Sequence, residues 1–349
     1  MSRDNNLNLL RLVFASMVLI SHSFSICFLN EPIVGKGYGI GSVGTLGVYG
    51  FFTISGYLMI KSYCRYDKLG IFLWHRILRI YPALIIVVLG SALLMFFTQE
   101  QVGFFEYIQL SNFWKFIFGN STLLNIGYNS IDYILWGVNN HNVINGPLWT
   151  LPVEVRMYIF VALLGFLGLL KDKKFFNLLL IVILLLEYKT IYNFILFKVL
   201  EPSPMQALTP VLYFLMGMFF SLNNFKHSNF IFLISLLLSI LSVYYVFPLS
   251  VQVFSFSYVF YYLAFNFNLF RNFFNNRIGD YSYGIYIYTF PIQQFIYYIL
   301  KKYFEINLDV FSLIIISLIF IIPISVISWH FVEKKVLKFK NIFDNNLKG

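Results

Sequence analysis

The chain has 349 residues, of which 59% are hydrophobic and 11% are charged. Soluble proteins carry about 25% charged residues, so the composition excludes an ordinary soluble enzyme and predicts an integral membrane protein. The formal net charge of +10 would suit a nucleic-acid partner. The basic residues cluster in alternate loops, however, which is the pattern of membrane orientation. We therefore expect a lipid bilayer, and no nucleic acid, as the partner.

Uninterrupted apolar runs of about 20 residues predict membrane-spanning helices rather than barrel strands. We predict an all-α, polytopic bundle of about ten spans. They cover about 7–29, 43–63, 77–98, 147–170, 174–190, 205–222, 228–246, 248–268, 282–300 and 308–331. The stretch 103–125 is apolar but interrupted by polar residues, and we expect it to be interfacial or re-entrant.

The distribution of lysine and arginine predicts that both termini are cytoplasmic. With the N-terminus inside, 17 basic residues fall in cytoplasmic segments, 6 in outer segments and 2 within spans, which accounts for all 25. This bias follows the positive-inside rule. The first run carries Arg11 and has no cleavage site, so it reads as a retained helix. We expect one membrane domain over 1–335 and a short basic cytoplasmic tail over 336–349.

Arg11 and His22 lie eleven residues apart in the first apolar run. Each ionisable side chain costs roughly 2.5–3.5 kcal/mol at the centre of a span, so such residues are rare there. The spacing puts both within ~20° of one helix face and ~16 Å apart. A snorkelling arginine and a histidine bonded to another helix would also explain them. His22 lies ~10 Å below the outer surface. Burial at that depth disfavours the charged form of its imidazole, so we expect a neutral ring that can accept a proton as a general base.

Glu154 lies in the segment 146–156, which opens the fourth predicted span from the outer side. It sits about seven residues, or ~10 Å, below the outer surface, the same depth as His22. A carboxylate there could orient His22 and stabilise its imidazolium. Arg156 points away from Glu154 on a regular helix and does not simply neutralise it. The alternative is a structural glutamate bonded to another helix.

Arg76 and Arg79 open the third predicted span on the cytoplasmic side, and their spacing puts both on one helix face. Two guanidiniums can bind phosphates in bidentate fashion. Ordinary positive-inside anchoring is the alternative, and position alone favours it.

Small and polar residues mark two further spans. Gly47, Gly50 and Gly56 permit close helix approach in the second span. Ser55 lies beside them, but no base adjoins it in sequence, so we do not predict a nucleophile. Gln293 and Gln294 are polar within the ninth span and could line a cavity. The outer segment 99–146 is rich in Asn, Tyr and Trp, which suits either sugar contacts or a simple cap over the bundle.

Taken together, these pieces resemble the acyltransferase-3 family of integral membrane proteins, which includes bacterial sugar O-acetyltransferases. The resemblance runs from about 5 to 335. The matching pieces are Arg11-x10-His22, Gly47 to Tyr57, Arg76-x-x-Arg79-Ile80-Tyr81-Pro82, Pro147-Leu148-Trp149-x-Leu151-x-x-Glu154, Ser282-Tyr283-x-x-Tyr286 and Ser328 to Glu333. Two positions depart from the family pattern: Thr289 stands where many members have a histidine, and Lys335 where a proline is usual.

The resemblance implies an enzyme that moves an acyl group from cytoplasmic acyl-CoA, most simply acetyl-CoA. The acceptor would be a hydroxyl of a cell-surface glycan, such as lipopolysaccharide or capsule, or of its lipid-linked precursor. The location would be the bacterial inner membrane, and no metal is expected.

The same resemblance makes His22 the catalytic base, and we expect Glu154 as its partner. It implies that Arg11, Arg76 and Arg79 contact the donor. Trp149, Ser55 and Tyr286 lie in the matching pieces and are candidate substrate contacts. A transporter or flippase for a sugar or lipid is the rival hypothesis, because it too would need intramembrane Arg, His and Glu.

Overall fold

The computed structural model describes residues 5–32, 41–99, 101–123, 131, 143–185, 204–266, 279–340 and 342. Throughout these ranges the chain is helical and contains no strand, which confirms the predicted all-α class. The segments 124–130 and 132–142 of the predicted outer loop lie outside the described residues. So do residues 186–190 of the fifth predicted span, 267–268 of the eighth, and 341 and 343–349 of the tail.

The helices follow one another in this order. They are α1 (Leu7–Ile26), α2 (Val43–Tyr66), α3 (Leu69–Phe96), α4 (Phe104–Gln109), α5 (Ser111–Thr122), a 3-10 turn (Gly146–Trp149), α6 (Thr150–Phe166), α7 (Lys173–Leu185), α8 (Pro204–Leu222), α9 (Asn229–Tyr244), α10 (Leu249–Asn266), α11 (Ser282–Tyr303) and α12 (Val310–Ile327). A π-helical segment (Ser328–Glu333) and two short turns (Lys334–Val336, Leu337–Lys340) follow α12.

Five helices of the described chain are long and apolar enough to cross a membrane. They cover Leu7–Ile26, Val43–Tyr66, Leu69–Phe96, Gly146–Phe166 and Val310–Lys340. Two shorter apolar helices cover Leu208–Leu222 and Asn229–Tyr244. The protein is therefore a helical membrane protein with several spans. The segment predicted to be interfacial or re-entrant forms the two short helices α4 and α5.

The predicted start of the third span, residue 77, lies inside the observed helix. The helix α3 starts at Leu69, eight residues before the predicted start. Asp67 takes a left-handed conformation (φ 46°) that ends α2, and nothing between Leu69 and His75 stops a helix. The prediction failed because it located the apolar core of the span, whereas the helix extends beyond that core. Arg76 and Arg79 therefore lie in the third turn of α3 and do not open it.

The described residues group into two compact units. The first comprises the described residues of the ranges 1–14, 33–76 and 153–278. In this unit α2 and α8 approach so closely that a Cβ on Gly56 would lie 2.0 Å from the carbonyl oxygen of Phe214. A Cβ on Gly217 would lie 2.0 Å from the carbonyl oxygen of Thr53. The predicted close approach is thus confirmed at Gly56, and Gly217 supplies the other side.

The second unit comprises the described residues of the ranges 15–32, 77–152 and 279–349. Its helices α11 and α12 pack together, and Gln293 on α11 donates from Nε2 to Ser23 at 2.8 Å and to Ser317 at 3.3 Å. Gln294 donates to the carbonyl oxygen of Val143 at 2.8 Å. The two glutamines therefore join segments of this unit by hydrogen bonds. The prediction of one domain over 1–335 with a tail over 336–349 stays a prediction.

Candidate functional site

His22 lies on the side of α1 opposite its exposed apolar stripe. That stripe includes Val13, 43% exposed, and Ile20, 37% exposed. Arg11 precedes Val13 by two residues and His22 follows Ile20 by two, and two residues turn a helix by about 200°. Both ionisable side chains are half-buried. The exposed side of α1 is therefore apolar, and the two ionisable residues face away from it, as their spacing predicts.

The imidazole of His22 packs edge-on against Phe290 of α11, with ring centroids 4.8 Å apart. Thr289, which stands where many family members have a histidine, is buried beside Phe290. Its hydroxyl donates to the carbonyl oxygen of Ile285 on its own helix at 2.5 Å. The hydroxyl of Thr289 is therefore used in a hydrogen bond within its own helix. Thr289 also adds no titratable group next to the Phe290 ring that contacts His22.

Glu154 lies at the centre of a polar cluster in the first unit. Ser55 on α2 donates to Oε1 of Glu154 at 3.1 Å. The hydroxyl of Tyr158, one turn further along α6, donates to the same oxygen. The Ser55 and Tyr158 oxygens are themselves 3.4 Å apart. Ser55, a candidate substrate contact by sequence, is therefore a hydrogen-bond partner of the candidate catalytic carboxylate.

Arg76 belongs to the same unit and reaches the same cluster. The carbon at the centre of its guanidinium lies 5.8 Å from the ring centroid of Tyr158 and 5.8 Å from that of Phe72. Its Nη1 lies 3.5 Å from Sδ of Met59. Arg76 and Glu154 are thus linked through Tyr158, which sequence reasoning missed. A signal existed, because Tyr158 follows Glu154 by four residues and so shares its helix face.

Arg79 belongs to the second unit and is held by different groups. Its Nη2 lies 2.5 Å from Oδ2 of Asp280, and its Nη1 lies 3.5 Å from Oε2 of Glu333. The rings of Tyr283 and Trp329 lie 5.7 and 5.6 Å from the guanidinium. Neither carboxylate is a predicted site residue, although Glu333 ends one of the segments that resemble the acyltransferase-3 family. Their rarity was a signal, since only 15 of the 349 residues are acidic.

Tyr286 anchors the turn that carries Trp149. Its hydroxyl lies 2.8 Å from that of Thr150 and donates to the carbonyl oxygen of Pro147 at 3.2 Å. Asn145, just before the turn, donates to the carbonyl oxygen of Ile287 at 3.0 Å. Trp149 itself is half-buried. The hydroxyl of Tyr286 is therefore used to fix the turn. Of the two candidate substrate contacts, Trp149 is the one whose side chain is more available to a substrate.

The structure therefore brings Ser55, Glu154 and Arg76 into one cluster, and it holds Arg79 in another. The predicted pairing of His22 with Glu154 joins residues assigned to different units and stays a prediction. So do the donor-binding roles of Arg11, Arg76 and Arg79. The residues that the structure describes include no group of three or more His, Cys, Asp or Glu placed to hold a metal ion.

Comparisons with known proteins identify the family. A family model described as an acyltransferase domain matches residues 4–330. The chain is 29% identical to an O-acetyl transferase of Shigella phage Sf6, with 97% of each chain aligned. It is 33% identical to nodulation protein 10 of Rhizobium leguminosarum bv. viciae over 46% of this chain and 44% of that relative. No solved structure matches the chain. Because the family model covers nearly the whole sequence, the protein belongs to the acyltransferase-3 family and is an acyltransferase.

Proposed function

We propose that the protein is a membrane O-acetyltransferase. It moves an acetyl group from cytoplasmic acetyl-CoA to a hydroxyl of a cell-surface glycan or of its lipid-linked precursor. The match to the acyltransferase family over residues 4–330 carries this proposal. The relative of similar length named as an O-acetyl transferase supports the choice of acyl group and of oxygen as the acceptor atom. The family match also favours a transferase over a transporter or flippase.

In this proposal His22 is the general base. Its imidazole takes the proton of an acceptor hydroxyl, and the oxygen attacks the carbonyl carbon of the thioester. The carbon–sulfur bond then breaks, and the imidazolium returns the proton to the sulfur of CoA. The position of His22 opposite the exposed stripe of α1 supports this role, because a base that faced lipid could not meet a polar acceptor.

We assign Glu154 to stabilise the imidazolium that forms during transfer. A carboxylate that accepts hydrogen bonds from a histidine fixes its orientation and favours its charged form. The equal depth of the two residues in their predicted spans is the reason for this pairing. The hydrogen bonds that Ser55 and Tyr158 make to one oxygen of Glu154 support it, because they hold the carboxylate in one place.

Arg11, Arg76 and Arg79 are proposed to attract the phosphates of CoA, since guanidiniums bind phosphate oxygens in bidentate fashion. Of the three arginines, Arg76 has the clearest link to Glu154, because its guanidinium lies over the ring of Tyr158. Arg79 differs, because Asp280 and Glu333 already share its guanidinium. Phosphates that reached Arg79 would have to compete with these carboxylates.

The acceptor is proposed to approach from the outer side, near the turn that carries Trp149. An indole face stacks well on the apolar face of a sugar ring, and the half-buried Trp149 is held there by the bonds of Tyr286. The segment 99–146 also contains the amide and aromatic side chains that sugars prefer.

We further propose ten spans with both termini in the cytoplasm of a bacterial cell, and hence a place in the inner membrane. The bias of basic residues supports this topology. Reporter fusions test it directly. A phosphatase that is active only outside the cytoplasm should stay inactive when fused after residue 349, whereas activity there would reject the assignment.

The test of the proposed function uses purified protein in lipid nanodiscs with acetyl-CoA labelled in its acetyl group. The acceptor is a crude glycan and lipid-linked glycan fraction from the envelope of the source cell. We expect label in the glycan fraction that mild alkali removes, as it removes O-acetyl esters, with one CoA thiol released per acetyl group. Transport of labelled glycan across vesicles without acetylation would support the rival hypothesis.

A further inference from the structure

The two oxygens of Glu154 have different surroundings. Oε1 accepts two hydrogen bonds, from Ser55 on α2 and from Tyr158 on α6. No hydrogen bond from any described residue reaches Oε2. Glu154 is half-buried, which leaves part of the side chain accessible. Hydroxyl donors to a carboxylate form charge-assisted bonds, which are stronger than neutral ones. The carboxylate is therefore held through Oε1, and the described part of the chain supplies no donor to Oε2.

Tyr158 is the better placed of the two donors. It follows Glu154 by four residues, so its side chain lies along the same face of α6. The side chain is buried, and a phenol ring has few rotatable bonds, so the hydroxyl has little freedom to leave Oε1. The guanidinium of Arg76 lies over the ring at 5.8 Å, which is within cation–π range and restrains the ring further.

We propose that Tyr158 is a positioning residue for acyl transfer. Its hydroxyl holds Oε1 of Glu154, its ring supports the guanidinium of Arg76, and Oε2 stays open to accept a hydrogen bond from the reacting groups. Tyr158 thus sets the distance between the guanidinium of Arg76, which is proposed to bind acetyl-CoA, and the carboxylate of Glu154, which is proposed to take part in acetyl transfer. This inference rests on the proposed function, because Glu154 affects turnover only if acyl transfer occurs at this cluster.

The roles of hydroxyl and ring can be separated with two variants. Tyr158→Phe keeps the ring and removes the hydroxyl. We expect kcat for acetyl transfer to fall about 10- to 100-fold, the range for a hydrogen bond to a charged group. The KM for acetyl-CoA should stay within about twofold. Tyr158→Leu also removes the support of Arg76, so it should raise that KM several-fold in addition.

Tyr213→Phe is the matched control. Tyr213 is a buried tyrosine of the same unit that stacks on Tyr49, with ring centroids 4.2 Å apart. Among the described residues, no hydrogen bond or ring contact joins Tyr213 to Glu154 or Arg76, so the kcat and KM of Tyr213→Phe should equal those of the wild type. If Tyr158→Phe gives too little folded protein, Ser55→Ala removes the other donor to Oε1 and should lower kcat by a smaller factor.

A double variant decides whether Tyr158 acts through Glu154. In a Glu154→Gln background, Tyr158→Phe should cause little further loss of kcat, because residues that act as a unit are not additive. Losses that multiply, or an unchanged kcat for Tyr158→Phe in an active wild type, would overturn this inference alone. Absence of acetyl transfer by the wild type would overturn the proposed function and this inference with it.

Discussion

Glu333 is buried against Arg79 in the second unit. Its Oε2 lies 3.5 Å from Nη1 of Arg79, and only 2% of its side chain is exposed. Ser328 donates to the other oxygen, Oε1, at 3.2 Å. Since Glu333 ends the π-helical segment after α12 and Arg79 lies on α3, this pair joins two distant parts of the chain within one unit.

We predict that Arg79→Ala lowers stability more than an exposed ion pair would. Removal of one partner leaves the other charge buried, which costs up to about 3–5 kcal/mol. Adding Glu333→Gln should restore part of the loss, because it removes the uncompensated charge. The measurement is thermal unfolding of the detergent-solubilised protein, followed by tryptophan fluorescence. A double variant less stable than Arg79→Ala would contradict the ion pair as the cause.

We predict that Arg76→Ala raises the KM for acetyl-CoA about tenfold, since one charge-assisted contact to phosphate is lost. Arg65→Ala is the control, because Arg65 is an exposed cation near the end of α2 and should leave the KM unchanged. Steady-state kinetics at varied acetyl-CoA gives both values. An unchanged KM for Arg76→Ala would reassign this residue to membrane orientation.

The same assay decides the role of Arg79. If Arg79 binds donor phosphates, Arg79→Lys should raise the KM for acetyl-CoA, because lysine cannot form the bidentate contact. If it serves only the ion pairs with Asp280 and Glu333, the KM should stay the same while the unfolding temperature falls. The two readouts separate the two roles.

We predict that Gly217→Ala destabilises the packing of α2 against α8. The added methyl group would meet the carbonyl oxygen of Thr53 at 2.0 Å, and backbone atoms cannot move aside cheaply. Gly90→Ala on α3 is the matched control, since a Cβ there meets nothing within 4 Å. Alanine favours a helix over glycine by about 1 kcal/mol, so the control should be neutral or slightly stabilising. Equal unfolding temperatures for the two variants would contradict the close approach.

We predict that Tyr286→Phe weakens acceptor binding without changing the KM for acetyl-CoA. The variant loses the bonds to Thr150 and Pro147 that fix the turn before α6, so Trp149 becomes less well placed. Tyr288→Phe is the control, because its hydroxyl pairs with Ser328 instead, at 3.2 Å. Initial rates at varied glycan fraction measure the effect. A rise in the KM for acetyl-CoA would indicate that the turn serves the donor.

The sequence predicted the helices well where apolar runs are long, as in α1, and failed at the start of α3. Hydropathy detects the apolar core of a span, whereas the end of a helix depends on local stops. Asp67 with its left-handed backbone is such a stop, and the residues after it contain none. The extra turns at the start of α3 changed the position assigned to Arg76 along its helix.

The candidate site was predictable only in part. The ionisable side chains of His22, Glu154 and Arg79 stand out against an apolar background, so the sequence marks each of them as a candidate site residue. Their partners did not stand out, because contacts between distant segments leave no local pattern. Ser55 and Glu154 are 99 residues apart, and Arg79 and Asp280 are 201 apart. Tyr158 is the exception, because it follows Glu154 by four residues and the sequence therefore places both on one helix face.

The proposed chemistry depends on His22 as the base. We expect His22→Ala to bind acetyl-CoA normally and to keep its unfolding temperature, yet to transfer acetyl groups at least about 100-fold more slowly, the lower range for loss of a general base. His227→Ala is the control, because His227 is exposed and stacks on Tyr261, and it should retain full activity. Acetyl transfer by His22→Ala at nearly the wild-type rate would contradict a role of His22 as the general base.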